Sequence, residues 1–502
     1  MSEEQPQAEH RSRPTGQAFM DFMGHGWAPV SESLPPLAEV ASYAAARRQE
    51  VSGAFESERL VVPAGGLKVR SNDTDYVFRP HSAFAHLTGL GADREPDAAL
   101  VLEPLPDGGH EAILFLDPPA GRDSQEFFSD SRTGEFWIGA RPSLEQVAAE
   151  LGVTTRHIEE LDDTVGKNVP QTPVRVVRDA DPQVTALVDR VRTEEAAERA
   201  GQVEQRDLEA DEALARYLSV LRLVKDDWEI AQMTSAVEAT AVAFDAVVAE
   251  LPEATRRDRG ERWIEGTFGR AARHAGNGVG YDSICAAGEN ATTLHWIRNT
   301  GEVDETDLVL IDAGVETDAL YTADVTRTLP AGGTFSDAQR RVYDAVLAAQ
   351  EAGLAAARPG NTFKDVHAAA IQVIARTLHE WGLLPDGVSV EDTLDPDEGQ
   401  FHRRWMVHGT SHHLGIDVHD CALARRADYM DAELSEGMVL TVEPGLYFKC
   451  DDLLVPEDLR GIGVRIEDDV VITADGCRNL SAMLPRTAED VERWVRRAGR
   501  RG

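Results

Sequence analysis

The chain is poor in cysteine, in positive charge and in long apolar runs, and each shortage removes a class of function. Its four cysteines, Cys285, Cys421, Cys450 and Cys477, are scattered through the second half and form no Cys-x-x-Cys pair. That argues against a disulfide framework and fits the reduced thiols of a cytoplasmic protein. No run of about 18 apolar residues exists, so no membrane span is expected. The opening segment MSEEQPQAEHRSRPTGQAF has no apolar stretch of the kind a secretory signal needs. Lysine and arginine number 50 against 88 acidic residues, for a net charge of -38. Such a balance argues against nucleic acid or an anionic membrane as a main partner. It reads as a solvated acidic surface and says little about a substrate.

What the chain does have is length and apolar content. Its 502 residues suit two or three domains, and 42% hydrophobic residues can fill a large core. Residues 36–50 read as a helix. LVVPAG, YVFRP, AALVLEP and EAILFLDP read as short strands, and LEQVAAELG and ALVDRVRTEEAAERA as helices. This alternation predicts an α/β N-terminal domain. A long amphipathic helix follows from Trp228 onward. Ser336 and Gln339 form a capping-box pattern, and Asn361 or Thr362 could cap a further helix. His367 and His379 on these helices read as packing or surface histidines, and the acidic loop 384–400 as solvated. The division expected is an N-terminal extension over 1–50, partly disordered over 1–18, a domain over 51–205, a linker helix region over 206–220, a second domain over 221–490 and a basic tail over 491–502.

The chemistry concentrates in the last 200 residues. Asp312, Asp324, His412, Glu443 and Glu467 lie in LVLIDAG, TADVTRT, HGTSHHLG, LTVEPGLY and GVRIEDD, segments that read as strands or strand edges. Two like charges about 4 Å apart cost roughly 4 kcal/mol at an effective dielectric near 20. Four carboxylates that meet therefore call for cations, and two divalent ions would neutralise them. Asp312 ends an apolar strand, and an antiparallel neighbour could bring Asp324 beside it. Taken singly, either aspartate could cap a turn. His408 and His412 are spaced as on a zincin helix, but the general-base glutamate is missing and Gly409, Thr410 and Ser411 form helices poorly. The segment is thus expected to be extended or looped, with His413 pointing away from His412. Pro444 should interrupt the strand that ends at Glu443. Alternation puts Arg465 and Glu467 on one face, either as a cation beside a ligand or as a surface ion pair.

These segments together resemble the pita-bread metallopeptidases, the family of methionine aminopeptidase, prolidase and aminopeptidase P. HGTSHHLGIDVHD, TVEPGLY and GIGVRIEDD are especially similar to the aminopeptidase P group. So are YDSICAAGENATTLHW, RLVKDDWEIAQM and, upstream, NDTDYVFRPHSAFAHLTGL, so that the likeness spans roughly residues 50–485. The resemblance implies an α/β (α+β) architecture, with an N-terminal α/β domain and a pita-bread catalytic domain. It implies two metal ions per subunit, Mn²⁺ by preference with Co²⁺ or Zn²⁺ as alternatives, held by Asp312, Asp324, His412, Glu443 and Glu467. It implies that Glu443, His408, His419 and His295 act on the peptide, that Arg465 and Tyr447 support them, and that Trp137 reaches a neighbouring subunit in a homodimer or homotetramer. The implied reaction is release of an N-terminal residue when proline is second, through a hydroxide that the two ions make available at neutral pH. Prolidase, which cuts dipeptides, is the nearest alternative, and a non-catalytic peptide-binding relative is a more distant one. One departure stands out. Eleven residues separate Asp312 from Asp324, one more than is usual in the family, which makes Asp318 a rival ligand.

Overall fold

The computed structural model describes residues 16–169, 171–194 and 205–498. The expected disorder over 1–18 lies largely outside the described residues; Gln17–Gly24 is a helix. Contacts divide the chain into two units, Met1–Leu214 and Ala215–Gly502. The division falls inside one helix, Gln205–Leu221.

The first unit is built on a five-stranded mixed sheet. Its strands run in the order Thr154–His157, His110–Leu116, Ala99–Pro104, Arg59–Pro63 and Val174–Val176. Register places Val176, Val61, Val101 and Ile113 in one row across four strands. That row is a buried β-branched stripe, the packing such residues favour on a pleated surface. The helix Val40–Ala54 buries Val40, Ala41, Ala44 and Val51, so the expected boundary at residue 50 cuts through an integral helix. Residues 76–80 form no strand; Pro80 lacks an N–H for a ladder.

The second unit wraps short antiparallel sheets in helices. Leu308–Ala313 pairs with Val325–Pro330 on one side and Ile284–Ala287 on the other. Val439–Val442 pairs with Asp468–Thr473, and Gly445–Tyr447 with Gly463–Arg465. The helices Asp227–Ala254, Gly260–Ala275, Asp337–Ala356 and Phe363–Glu380 surround them. Ser336 caps its helix as the sequence pattern predicts, with Gln339 closing the box. Thr362 rather than Asn361 is the N-cap of the next helix, its N–H donated to Asp365 at 2.7 Å. Residues expected as a basic tail instead form the helix Ala488–Ala498. Val491, Trp494 and Val495 are buried in the core of this unit, because the basic residues alternate with an apolar helical face.

Candidate metal centre

The four carboxylates of the five-residue set sit at or beside strand ends, and His412 lies in a loop. Asp312 is near the end of Leu308–Ala313 and pairs with Thr326 across the ladder. Asp324 directly precedes Val325–Pro330, on the same face as Thr326. The longer connection between them is absorbed by a turn over 317–320 that leaves Asp318 exposed and sets Leu320 at φ 73. Gly314 is required there, since a Cβ would lie 1.7 Å from the Ala323 carbonyl oxygen. Glu443 stands in the break between Val439–Val442 and Gly445–Tyr447, as Pro444 led us to expect. Glu467 stands in the break between Gly463–Arg465 and Asp468–Thr473. His412 lies in a non-helical loop, tied to the sheet by N–H and C=O bonds with Thr441 of 3.1 and 3.0 Å.

The side chains converge. His412 Nδ1 faces the His413 carbonyl at 3.1 Å, which puts the proton on Nδ1 and turns Nε2 toward Asp324 Oδ2 at 3.2 Å. Glu443 Oε1 is 3.9 Å from the same nitrogen. Asp324, His412 and Glu467 each offer a ligand atom within 4.8 Å of the others. Tyr281 Oη lies 2.6 Å from Asp312 and 2.5 Å from Asp324. One phenol carries one proton, so it satisfies only one of these oxygens at a time.

Positive charge is scarce here. Arg465 and His412 are the cations facing Asp312, Asp324, Glu443 and Glu467 among the described residues. Burial drives Glu443 up to about 8, and Asp324 and Asp312 add to it against His412 and Arg465. Burial likewise holds Glu467 well above the carboxylate range, with Asp324, Glu443 and Asp312 reinforcing it. For His412, burial opposes the charge, yet Asp324 and Glu443 lift it to about 9. Asp469, behind the cluster, accepts the Asp324 N–H at 3.0 Å while its other buried oxygen has no partner. Hard oxygen donors with one imidazole, short of both protons and counter-charge, fit divalent cations.

Arg465 does not pair with Glu467, although alternation placed them together. The ladder stops after Arg465, and its guanidinium turns to Asp312, to the Tyr447 hydroxyl at 3.1 Å and to Thr326 Oγ1 at 3.0 Å. Thr326 in turn donates to Glu467 at 2.6 Å. A second chain runs to His408, whose Nδ1 donates to the Gly409 carbonyl at 2.6 Å, leaving Nε2 to accept from Tyr447 at 2.7 Å. Burial and Arg465 push His408 down to about 3, so the ring is neutral. His408, His412, His419 and His295 all line one cavity of about 490 Å³ with the four carboxylates, beside Ile284, Leu294, Ile297 and Val418. His413 points elsewhere, stacked on Phe363 at 5.0 Å. His367 accepts the Thr410 N–H at 3.2 Å, a packing role. Trp137 belongs to the first unit, where its exposed ring donates Nε1–H to the Phe128 carbonyl at 2.8 Å.

Sequence reasoning gave no role to Tyr281, Thr326 or Asp469. Thr326 was open to the period-2 rule that puts it beside Asp324. Tyr281 precedes the strand edge opposite Asp312 and carried no pattern of its own.

Residues 231–474 match metallopeptidase family M24, and residues 44–176 match the aminopeptidase P N-terminal domain. The chain is 50% identical over 475 residues to Xaa-Pro aminopeptidase 1 of Streptomyces coelicolor, covering 94% of this chain and 91% of that protein. It is 35% identical over 428 residues to Xaa-Pro aminopeptidase of Escherichia coli, covering 84% and 90%. A solved structure of an E. coli aminopeptidase P variant in complex with substrate matches with a TM-score of 0.78 at 30% identity, covering 93% of this chain and all of that one.

Proposed function

The chain belongs to the aminopeptidase P group of metallopeptidase family M24, and from that premise we infer that it is an Xaa-Pro aminopeptidase. It releases the N-terminal residue from peptides whose second residue is proline. Its fold is the pita-bread catalytic domain preceded by the aminopeptidase P N-terminal domain. One observation carries the chemistry: three buried carboxylates, the half-buried Glu443 and an imidazole converge on a cavity without the positive charge to balance them.

Asp312, Asp324, His412, Glu443 and Glu467 are the proposed ligands of two divalent ions. When bound, the ions supply neutralising charge and Lewis acidity toward a peptide carbonyl. Hard donors favour Mn²⁺, with Co²⁺ or Zn²⁺ as alternatives. Glu443, which lines the cavity beside His412 and His408, is the proposed proton acceptor. His408 is held neutral and oriented by the Tyr447 hydroxyl, which Arg465 fixes from behind. It stands 3.6 Å from Glu443, placed to pass a proton toward the leaving nitrogen. His295 and His419 supply hydrogen bonds from the cavity wall. A prolyl imide has no N–H to satisfy and presents a rigid ring. The apolar wall of Ile284, Leu294, Ile297 and Val418 can pack such a ring.

No helix among the described residues is long and apolar enough to cross a membrane. A cytoplasmic location belongs to this proposal, supported by four unpaired cysteines. So does a homodimer or homotetramer in which the exposed Trp137 of one subunit serves its neighbour's substrate cavity. The test is a peptide panel with and without Mn²⁺, varying length and second residue. Mn²⁺-dependent cleavage of Xaa-Pro-Yaa, with little cleavage of Xaa-Ala-Yaa, is expected. Faster hydrolysis of Xaa-Pro than of Xaa-Pro-Yaa would identify a prolidase instead.

A further inference from the structure

A buried carboxylate outside the candidate metal centre holds a segment that lines the cavity. Glu261 lies in the first turn of Gly260–Ala275 and is fully buried. Its Oε1 accepts from the Ala287 N–H at 2.8 Å and from Asn290 Nδ2 at 2.9 Å. Its Oε2 accepts from Trp296 Nε1 at 2.7 Å and from the Gly301 N–H at 2.6 Å. The Glu261 N–H is donated back to the Gly301 carbonyl at 3.3 Å. One carboxylate thus takes four neutral donors spread from residue 287 to residue 301. A Cβ at Gly301 would come within 2.7 Å of the carboxylate, so glycine is needed for this approach. Asn299 ties the same segment to the sheet, accepting from the Cys285 N–H and donating to the Ser283 carbonyl, both at 2.9 Å.

This segment carries Leu294, His295 and Ile297 into the cavity. His295 and Trp296 are neighbours that face opposite ways. The indole of Trp296 is drawn inward to Glu261, and the imidazole of His295 is thereby turned outward to the cavity. Charge-assisted bonds of this kind are stronger than neutral ones, and four of them fix the segment at both ends and in the middle.

We propose that Glu261 is a positioning residue for the peptidase reaction: its carboxylate shapes the 287–301 segment so that His295 and its apolar neighbours meet the substrate. The proposal rests on the peptidase reading, in which His295 contacts the peptide. Glu261→Gln keeps the size of the side chain but places an amide donor against two of the four donors, in either amide orientation. A misplacement on the scale of 1 Å at a substrate contact costs on the order of 100-fold in rate. The experiment is a double-mutant cycle on Xaa-Pro-Yaa hydrolysis in the Mn²⁺-loaded enzyme, with E261Q, H295A and the double variant. E261Q is expected to lower kcat/KM by that order with metal content unchanged. The double variant is expected to be no worse than the weaker single variant. Hydrogen exchange at the Ala287 and Gly301 amides should quicken in E261Q. Trp296→Phe, which removes one bond only, repeats the cycle with a smaller effect if E261Q does not fold. Losses that multiply in the double variant, or metal loss that accounts for the whole effect, would overturn the proposal while leaving the peptidase reading intact. An inactive wild-type enzyme would overturn both.

Discussion

Among the buried carboxylates of the catalytic unit, two groups are balanced in opposite ways. Asp420 meets Arg222 Nε at 3.0 Å, Lys225 Nζ at 3.2 Å and the Cys421 N–H at 2.8 Å. Asp468 meets Arg327 at 2.7 Å, with Ser481, Asn479 and Gln350 filling its remaining acceptor sites. In both, burial alone would raise the carboxyl, and the arginines and lysine more than offset it, so both stand below the ordinary range. The chain has supplied its own counter-charge. At the candidate metal centre it has done so only for Asp324, which stands below that range because burial is outweighed by the His412 hydrogen bond and charge; burial prevails at Asp312, Glu443 and Glu467, which stand above it. The contrast sets carboxylates balanced by the chain's own cations apart from the candidate metal ligands, a distinction that burial alone does not make.

The comparison can be broken at either side, beginning with the largest effect. Glu443→Ala should reduce turnover of Xaa-Pro-Yaa by roughly 10²–10⁴-fold or more while circular dichroism stays native; full turnover with full metal loading would remove Glu443 from the mechanism. A strong chelator should abolish activity, Mn²⁺ should restore it, and the melting temperature should rise on reloading. An ion at 100 times its Kd adds about 2.7 kcal/mol to the folded state. An enzyme indifferent to prolonged chelation would show that the carboxylates need no ion. On the other side, Asp420→Asn leaves Lys225 buried without its paired anion and Arg222 with only Asp417, at 3.7 Å, at a cost of about 3–5 kcal/mol in urea unfolding. The stability gap to the wild type should be the same with and without metal, because Asp420 is not among the proposed ligands.

Acid should act through the balanced group. Asp420 and Asp468 have folded values below their unfolded ones. The unfolded chain therefore binds more protons as pH falls through about 4, and the stability they give, complete above that pH, is lost toward their folded values. His402, pushed down to about 4 by burial, adds a loss of the same sign from about pH 6.5 downward. The stability difference between the wild type and Asp420→Asn, measured by denaturant titration, should thus shrink as pH falls below about 4; a difference that grows on acidification would contradict it. The smallest effect belongs to Asp318→Ala. An exposed substitution of this kind shifts stability within about 0.5 kcal/mol, and both metal content and turnover should be unchanged.

How much of this was legible beforehand follows from the physics of each signal. The strands around Asp312 and Asp324, the break at Pro444 and the caps at Ser336 and Thr362 are local, so periodicity and turn chemistry revealed them. The partner of Arg465 was misread because alternation holds only while the ladder lasts, and the ladder ends at that residue. The last helix was misread because the spacing of Val491, Trp494 and Val495 was outweighed by a run of arginines. Glu261 gave no signal, since its four donors are brought to it by the tertiary fold.

The sequence by itself determined which residues are the candidates for metal chemistry, that their segments are strands and loops, and to which family the chain belongs. Those properties depend on residue type and short-range spacing. The tertiary structure alone decided which carboxylates receive counter-charge and which are left without it, and which way His295 and Arg465 turn. Charge balance in a low-dielectric interior is set by groups far apart in sequence, over 150 residues in the case of Arg465 and Asp312.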